Sequence, residues 1–167
     1  MIYLTHDFID LKSMPAGDFH SGADVVFLGK VRDHSQGRKV LYLEYEAYES
    51  MAENLIGNFI QEARARWKID AVKVLHRLGK VGLGEIAVLI QVQSAHRDEA
   101  YQASRFLIES IKHHVPIWKK EYFEDGTNEW SLCKHGVTLS PEGTKDLARF
   151  FAAETAAQND ADKNIQC

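Results

Sequence analysis

Two spacings of apolar residues alternate along the chain, and each predicts its own kind of element. Ala23 to Val31 (ADVVFLGKV) is nearly all apolar and β-branched, the pattern of a buried strand. After a polar loop at Arg32 to Lys39, Val40 to Tyr48 (VLYLEYEAY) alternates. Leu41, Leu43 and Tyr45 fall on one face, and Tyr42, Glu44 and Glu46 on the other. These two strands are expected to pair antiparallel, with Arg32 at the mouth of their loop. From Ser50 the spacing changes to that of a helix, with Ala52, Leu55, Ile56, Phe59 and Ala63 on one stripe. Ser50 and Glu53 stand at capping-box separation. Val72 to Leu78 and Glu85 to Gln93 then read as a hairpin around the glycine-rich GKVGLG, with Ile86, Val88, Ile90 and Val92 on one face.

A second long helix is predicted over Arg97 to His114. Asp98 and Glu99 suit its first turn, Ala100, Ala103, Phe106, Leu107 and Ile111 form its buried stripe, and Pro116 forbids its continuation. Ile117 to Phe123 and Glu129 to Cys133 are expected to form a last hairpin around Asp125-Gly126. Shorter elements are expected near the start: a strand at Ile2 to Leu4 and a helix within Asp7 to Met14, ended by Pro15 and Gly17. Ser140-Pro141-Glu142 predicts a further helix start, with Leu147, Phe150 and Phe151 on a docking face, and a polar, disordered end follows. Residues 1–136 are therefore expected to be one domain and 137–167 a partly helical extension.

Composition narrows the class. A chain of 167 residues with 45% apolar content can bury a real core. A net charge of −4 argues against general attraction to nucleic acid, so any anion must be held by locally placed Arg and Lys. Cys133 and Cys167 form neither a C-x-x-C pair nor a disulfide framework. The first residues lack a signal-peptide pattern, and no apolar run approaches a membrane span. A cytoplasmic protein, away from membranes, is the expectation.

The candidate chemistry centres on Ser94 to Glu121. His96 and Arg97 stand where the second helix starts, and free N–H groups there favour an anion. Lys112 is in its last turn and Lys119 lies just past Pro116. Two converging amines would depress each other's affinity for protons and yield a base or nucleophile. The bland readings stand beside these: Arg97 in a surface ion pair, His96 as a cap, Lys112 simply complementing the helix dipole. Lys30 and Arg32 at the strand end are candidates of the same kind, against the commoner solvated loop residue. Trp118 and Trp130 can stack on a flat ring or pack. The adjacent His113 and His114 diverge on a helix and make no metal pair. Gly79, Gly82 and Gly84 lack the order of a nucleotide cradle and are explained by turns.

Five segments in this order and spacing, GKVRDHSQG, LEYEAYESMA, HRLGKVGLGE, SAHRDEAYQASRFLIESIK and VPIWKKE, resemble the large, catalytic subunit of molybdopterin synthase, of the MoaE kind. The similarity runs from about Val25 to Trp130. It implies an α+β fold of the α/β-hammerhead type with an additional antiparallel β subdomain. It also implies a sulfurtransferase, which adds two sulfurs to cyclic pyranopterin monophosphate to form the molybdopterin dithiolene. The sulfur donor would be the thiocarboxylated C-terminal Gly-Gly tail of a small ubiquitin-like sulfur-carrier subunit. Two large subunits would form a central homodimer within a heterotetramer.

Position by position, the resemblance places substrate contacts at Lys30, Val31 and Arg32, at His96 and Arg97, and at Lys112, Lys119, Lys120 and Glu121. Lys112 and Lys119 would be the catalytic pair, and no metal or other cofactor would be needed for this step. Where many relatives carry Arg, this chain has Lys120, which keeps the charge but not the planar fork. The His-Arg pair would reach the pocket from the neighbouring large subunit. A non-catalytic module that binds a ubiquitin-like tail or an anionic metabolite is the alternative, with the lysines as electrostatic guides only.

Overall fold

The computed structural model describes residues 3–14 and 19–131. Two antiparallel-rich sheets and two long helices form it. The strands are β1 (Leu4–Thr5), β2 (Ala23–Lys30), β3 (His34–Ser35), β4 (Arg38–Ala47), β5 (Ala71–Arg77), β6 (Gly79–Gly82), β7 (Ile86–Ser94), β8 (Ile117–Phe123) and β9 (Asn128–Trp130). Helix α1 spans Glu49–Arg66 and α2 spans Arg97–His114.

The first sheet has the order β1-β5-β7-β2 and is antiparallel except for β1 beside β5. Every residue of β7 is buried, as its apolar run requires of a central strand. Val88, Ile90 and Val92 face α1 and α2, where Ala52, Ile56, Ala63, Ala103 and Leu107 complete the main core. The opposite face is covered by Ile9 and Met14 from the N-terminal segment, against Leu28, Leu75 and Leu89. The second sheet has the order β3-β4-β8-β9, with β6 also on β4. Its own core of Val40, Leu43, Val81 and Phe123 packs on Val31 and Ala87.

Several expectations need correction. The strands β2 and β4 do not pair: β2 lies on β7, while β4 takes β3, β6 and β8. The loop after Val31 folds its own small ladder, and the apolar β2 gains more by joining the larger core. Residues 79–82 of the glycine-rich segment are themselves a strand, which carries the chain from the first sheet to the second. A register shift at Gly29/Lys30 pairs Lys30 with Ile86, so Ile86 joins the far-face cluster rather than Val88 and Ile90. A similar shift between Val40 and Tyr42 leaves Leu41 exposed. The capping box is absent. Helix α1 begins one residue earlier, at Glu49, and Glu53 accepts instead from the Tyr3 and Leu4 N–H groups at 2.8 Å each. Those strand-end donors have a stronger claim on a half-buried carboxylate than a helix start open to water.

The other boundaries follow the periodicity closely. Helix α2 has the predicted ends, and the turn at Asp125-Gly126 uses a positive φ of 82° at Gly126. The first strand falls at Leu4–Thr5, and the early helix is only a 3-10 turn at Leu11–Ser13. The expectations on Ile2, Pro15, Gly17 and residues 132–167, including Cys133 and the helix start at Ser140, lie outside the described residues.

Candidate functional site

The predicted site residues divide into two groups at opposite ends of the first sheet. In the β2–β7 ladder, Ala23 pairs with Ser94 and Lys30 with Ile86. Seven strand steps separate these ends, about 24 Å at strand rise. The segment Lys30-Val31-Arg32 therefore leaves the sheet at one end, and Ala95-His96-Arg97 at the other. Helix α2 spans a similar gap: Arg97 and Lys112 are fifteen residues apart on it, about 22 Å. One chain does not bring His96 and Arg97 together with Lys112.

The first group is gathered by packing. Gly29 lies so close to β7 that a Cβ would stand 2.5 Å from a Val88 methyl, and the register shift next to it swings Lys30 out to solvent. Val31 is buried in the second core, and its N–H donates to the Glu85 carbonyl at 3.1 Å. Arg32, next along the chain, is exposed. Helix α2 ends at Lys112–His114, the chain turns at Val115-Pro116, and the Tyr48 N–H donates to the Pro116 carbonyl as β8 begins beside β4.

Alternation along β8 then sorts its side chains. Lys119 and Glu121 share a face with Ile117 and Phe123, opposite Tyr45 and Leu43 of β4. Glu121 is only 4% exposed, and the Lys119 Nζ stands 2.9 Å from its carboxylate. Burial by itself would raise the Glu121 pKa. Hydrogen bonds from Ser35, Lys119 and Ser131, with the lysine's charge, outweigh it and hold the carboxyl below its ordinary range.

Lys120 points to the other face of β8. Its amine lies 5.4 Å from the Tyr122 ring centre and 5.5 Å from that of Trp130. Tyr122 stacks on Tyr42 at 4.4 Å and donates to Glu44 at 2.6 Å. Thus Lys119 and Lys120, adjacent in sequence, serve opposite faces of the sheet. Trp130 is engaged with Lys120, and Trp118 shares that outer face.

The second group sits where β7 meets α2. Gly22 is held there by close approach, since a Cβ would lie 2.5 Å from the Ala95 carbonyl oxygen. The buried Ser94 hydroxyl donates to the His96 carbonyl and pins the entry to the helix. His96 occupies the N-cap position, yet its side chain makes no capping bond. His96 and Arg97 are both exposed. No group of three or more His, Cys, Asp or Glu among the described residues is arranged to hold a metal ion.

The family model described as "MoaE protein" matches residues 4–114. A molybdopterin synthase catalytic subunit from Halalkalibacterium halodurans is 45% identical over 128 residues, 77% of this chain and 81% of that protein. One from Thermoplasma volcanium is 47% identical over 110 residues, covering 66% and 80%. The solved molybdopterin synthase structure from Staphylococcus aureus superposes with a TM-score of 0.73 at 39% identity, covering 78% of this chain and 96% of that one. A MoaE protein structure from Burkholderia ambifaria gives 0.65 at 29% identity, covering 89% and 96%. The chain belongs to the MoaE family.

Its α+β architecture, two sheets with two helices on one of them, is accordingly that of MoaE proteins, and its curated relatives are catalytic subunits of a sulfur-transferring enzyme. Sequence reasoning missed two polar residues in this MoaE chain, Ser35 and Ser131, both donors to Glu121. Ser35 belongs to the small β3–β4 ladder, so the loop that begins at Arg32 is tied to the carboxylate that holds Lys119. Ser131 also donates its N–H to the Lys119 carbonyl at 2.8 Å. Only the closeness of Ser35 to Arg32 in sequence hinted at this. Chemically, the Arg32–Lys119 end offers an ammonium oriented by a buried carboxylate, and the His96–Arg97 end offers a helix start with a guanidinium. The first suits a reacting anion and the second a bound phosphate.

Proposed function

We propose that this chain is the catalytic subunit of a molybdopterin synthase. We further propose that each reaction centre combines the Lys112–Lys119 end of one copy with the partner subunit's His96 and Arg97. The observation that carries the shared centre is the separation of about 22 Å along α2, which no side chain spans. Membership of the MoaE family supports the reaction.

In this reading the substrate is cyclic pyranopterin monophosphate. Arg32, the partner subunit's His96 and the partner subunit's Arg97 hold its phosphate by charge-assisted hydrogen bonds. Lys30, Val31, Lys120 and Glu121 border the site. The second protein is a small sulfur carrier whose C-terminal thiocarboxylate enters beside Lys119, whose amine is held by Glu121. The thiocarboxylate sulfur attacks a pterin side-chain carbon, and the carbon–oxygen bond to the phosphate breaks. Negative charge develops on the departing phosphate oxygen, and Lys112 stabilises it or gives it a proton. The acyl group left on the new carbon–sulfur bond is released by water as a carboxylate on the carrier. A second loaded carrier delivers the other sulfur to the neighbouring carbonyl carbon, whose oxygen leaves as water while the carbon–carbon double bond of the dithiolene forms, and hydrolysis frees this carrier as a carboxylate too.

The test is turnover of the cyclic pterin with a thiocarboxylated carrier, on wild type, Lys112→Ala, His96→Ala and an exchanged equimolar mixture of the two variants. Wild type is expected to turn over and each variant to fail. The mixture should recover to about a quarter of wild type, because half of the dimers are hybrids with one intact centre each. No wild-type turnover sinks the reaction, and no recovery in the mixture sinks the shared centre.

A further inference from the structure

We infer that Tyr45 and His76 are positioning residues for Lys119: the tyrosine ring braces the lysine stem, and the histidine fixes the ring. The inference rests on the role proposed above for Lys119 and adds what holds that amine in place besides Glu121.

A lysine stem has several rotatable bonds, and one ion pair fixes only its far end. Lys119 is bound to Glu121 at 2.9 Å, yet its side chain is still 33% exposed. The near end of the stem is set by the strand beside it. Tyr45 of β4 is the direct cross-strand partner of Lys119, so the two side chains leave the sheet on one face, with their Cβ atoms about 5 Å apart. The ring therefore runs alongside the lysine methylenes.

The ring has its own support. On the other side of β4, Tyr45 pairs with Gly79, whose lack of a side chain lets His76 of β5 reach the ring. The two rings meet edge-on, with centres 5.0 Å apart and planes at 73°. His76 is itself pinned. Its Nδ1 donates to the Arg77 carbonyl at 3.0 Å, its backbone N–H donates to the Tyr3 carbonyl at 2.8 Å, and the side chain is buried. Tyr45 packs against the main core and against the core of the second sheet. A rigid residue of the first sheet thus reaches the charged pair of the second through one aromatic ring. The proposed reaction needs this, because a thiocarboxylate must be met at a defined point and small misplacements slow such steps.

Packing alone is the competing reading: Tyr45 and His76 would join the two sheets and leave the lysine untouched. The two readings differ in the behaviour of the Lys119 amine, which can be followed without any turnover. The full chain, free of carrier, is labelled with a trace of acetic anhydride. Acetylation at Lys119 is read by peptide mass spectrometry against Lys39, whose side chain is 76% exposed. Glu121→Gln sets the scale of a released amine. Tyr45→Ala and His76→Ala should each raise Lys119 labelling about threefold, the factor carried by an ion pair of this exposure. Tyr45→Phe keeps the ring and should label as wild type does. If Tyr45→Ala does not fold, as judged by its circular-dichroism melt, Tyr45→Val suits the strand and carries the same expectation. In the reconstituted assay, Tyr45→Ala and His76→Ala should lower kcat about tenfold and leave KM for the cyclic pterin within about threefold, with Tyr45→Phe restoring kcat.

Wild-type labelling in folded variants of both residues overturns the brace, and so does a Tyr45→Phe variant that labels as fast as Tyr45→Ala. A wild type without turnover would remove the reaction while the labelling still decides the brace. Normal wild-type turnover with unmoved labelling would remove the brace and leave the reaction standing.

Discussion

The two sheets obey different rules. The first is covered on one face by both helices and on the other by the N-terminal segment, and its central strand has no exposed residue. Its side chains serve packing, and its polar buried groups, such as Gln91 and Gln93, are bonded to Asp24 at 2.7 and 3.2 Å. The second sheet has a small core under one part of its inner face and places Lys119 and Glu121 on that same face. A charged pair that is mostly removed from water costs desolvation, which a chain selected for stability alone would avoid. The contrast identifies the first sheet as the platform and the second as the part that positions charge. Helix α2 spans the platform, with Arg97 at one end and Lys112 at the other.

That contrast can be broken by substitutions that should act on one region only. The largest effect is expected from Lys112→Ala: turnover falls by about 10²–10⁴-fold, the range for losing a general acid. Its unfolding free energy should stay within about 0.5 kcal/mol of wild type, since Lys112 is exposed. Ile90→Ala, in the platform, should do the opposite. Urea unfolding should show a loss of about 2–5 kcal/mol, with turnover per folded molecule retained. A selective loss of activity in Ile90→Ala would show that the platform is not passive.

Glu121→Gln keeps the shape but removes the charge beside Lys119, and should cost about 1–3 kcal/mol of stability. A double-mutant cycle with Lys119→Ala should return a coupling of about 0.5–3 kcal/mol; strict additivity would mean that the pair does not position the amine. The smallest effect concerns pH. His76, at 7% exposure in the platform, lies edge-on to Tyr45 at 5.0 Å, and burial pushes its pKa down to about 4. The unfolded chain binds that proton near pH 6.5, so stability is full above this value and declines as pH falls from about 6.5 to 4. The slope is at most about 1.4 kcal/mol per pH unit. Chemical unfolding at pH 7.5 and 5 should show the decline, and His76→Leu should flatten it.

Much of the platform was legible in the residue pattern. Apolar runs and helical stripes set local structure through short-range geometry, so α2 and β7 fell within a residue or so of expectation. Partner choice among strands was less legible. The pairing of β2 with β7 rather than β4 depends on which distant surface buries more, and no local period encodes that. The capping box failed for the same kind of reason, because Glu53 found better donors in Tyr3 and Leu4, some fifty residues away.

At the site, the chemical types could be read directly: a His-Arg pair, two spaced lysines and a strand-end arginine. By itself the order of residues determined two helices, a buried central strand and a set of cations suited to a phosphorylated ligand, since each follows from composition and spacing within a short window. Tertiary structure alone decided that Lys119 and Lys120 face opposite ways and that Ser35 ties the Arg32 loop to Glu121. It also decided that the cations stand at two ends of a rigid helix. Distances between segments remote in sequence are set by packing, and a helix rising about 1.5 Å per residue turns fifteen residues into a gap no side chain closes.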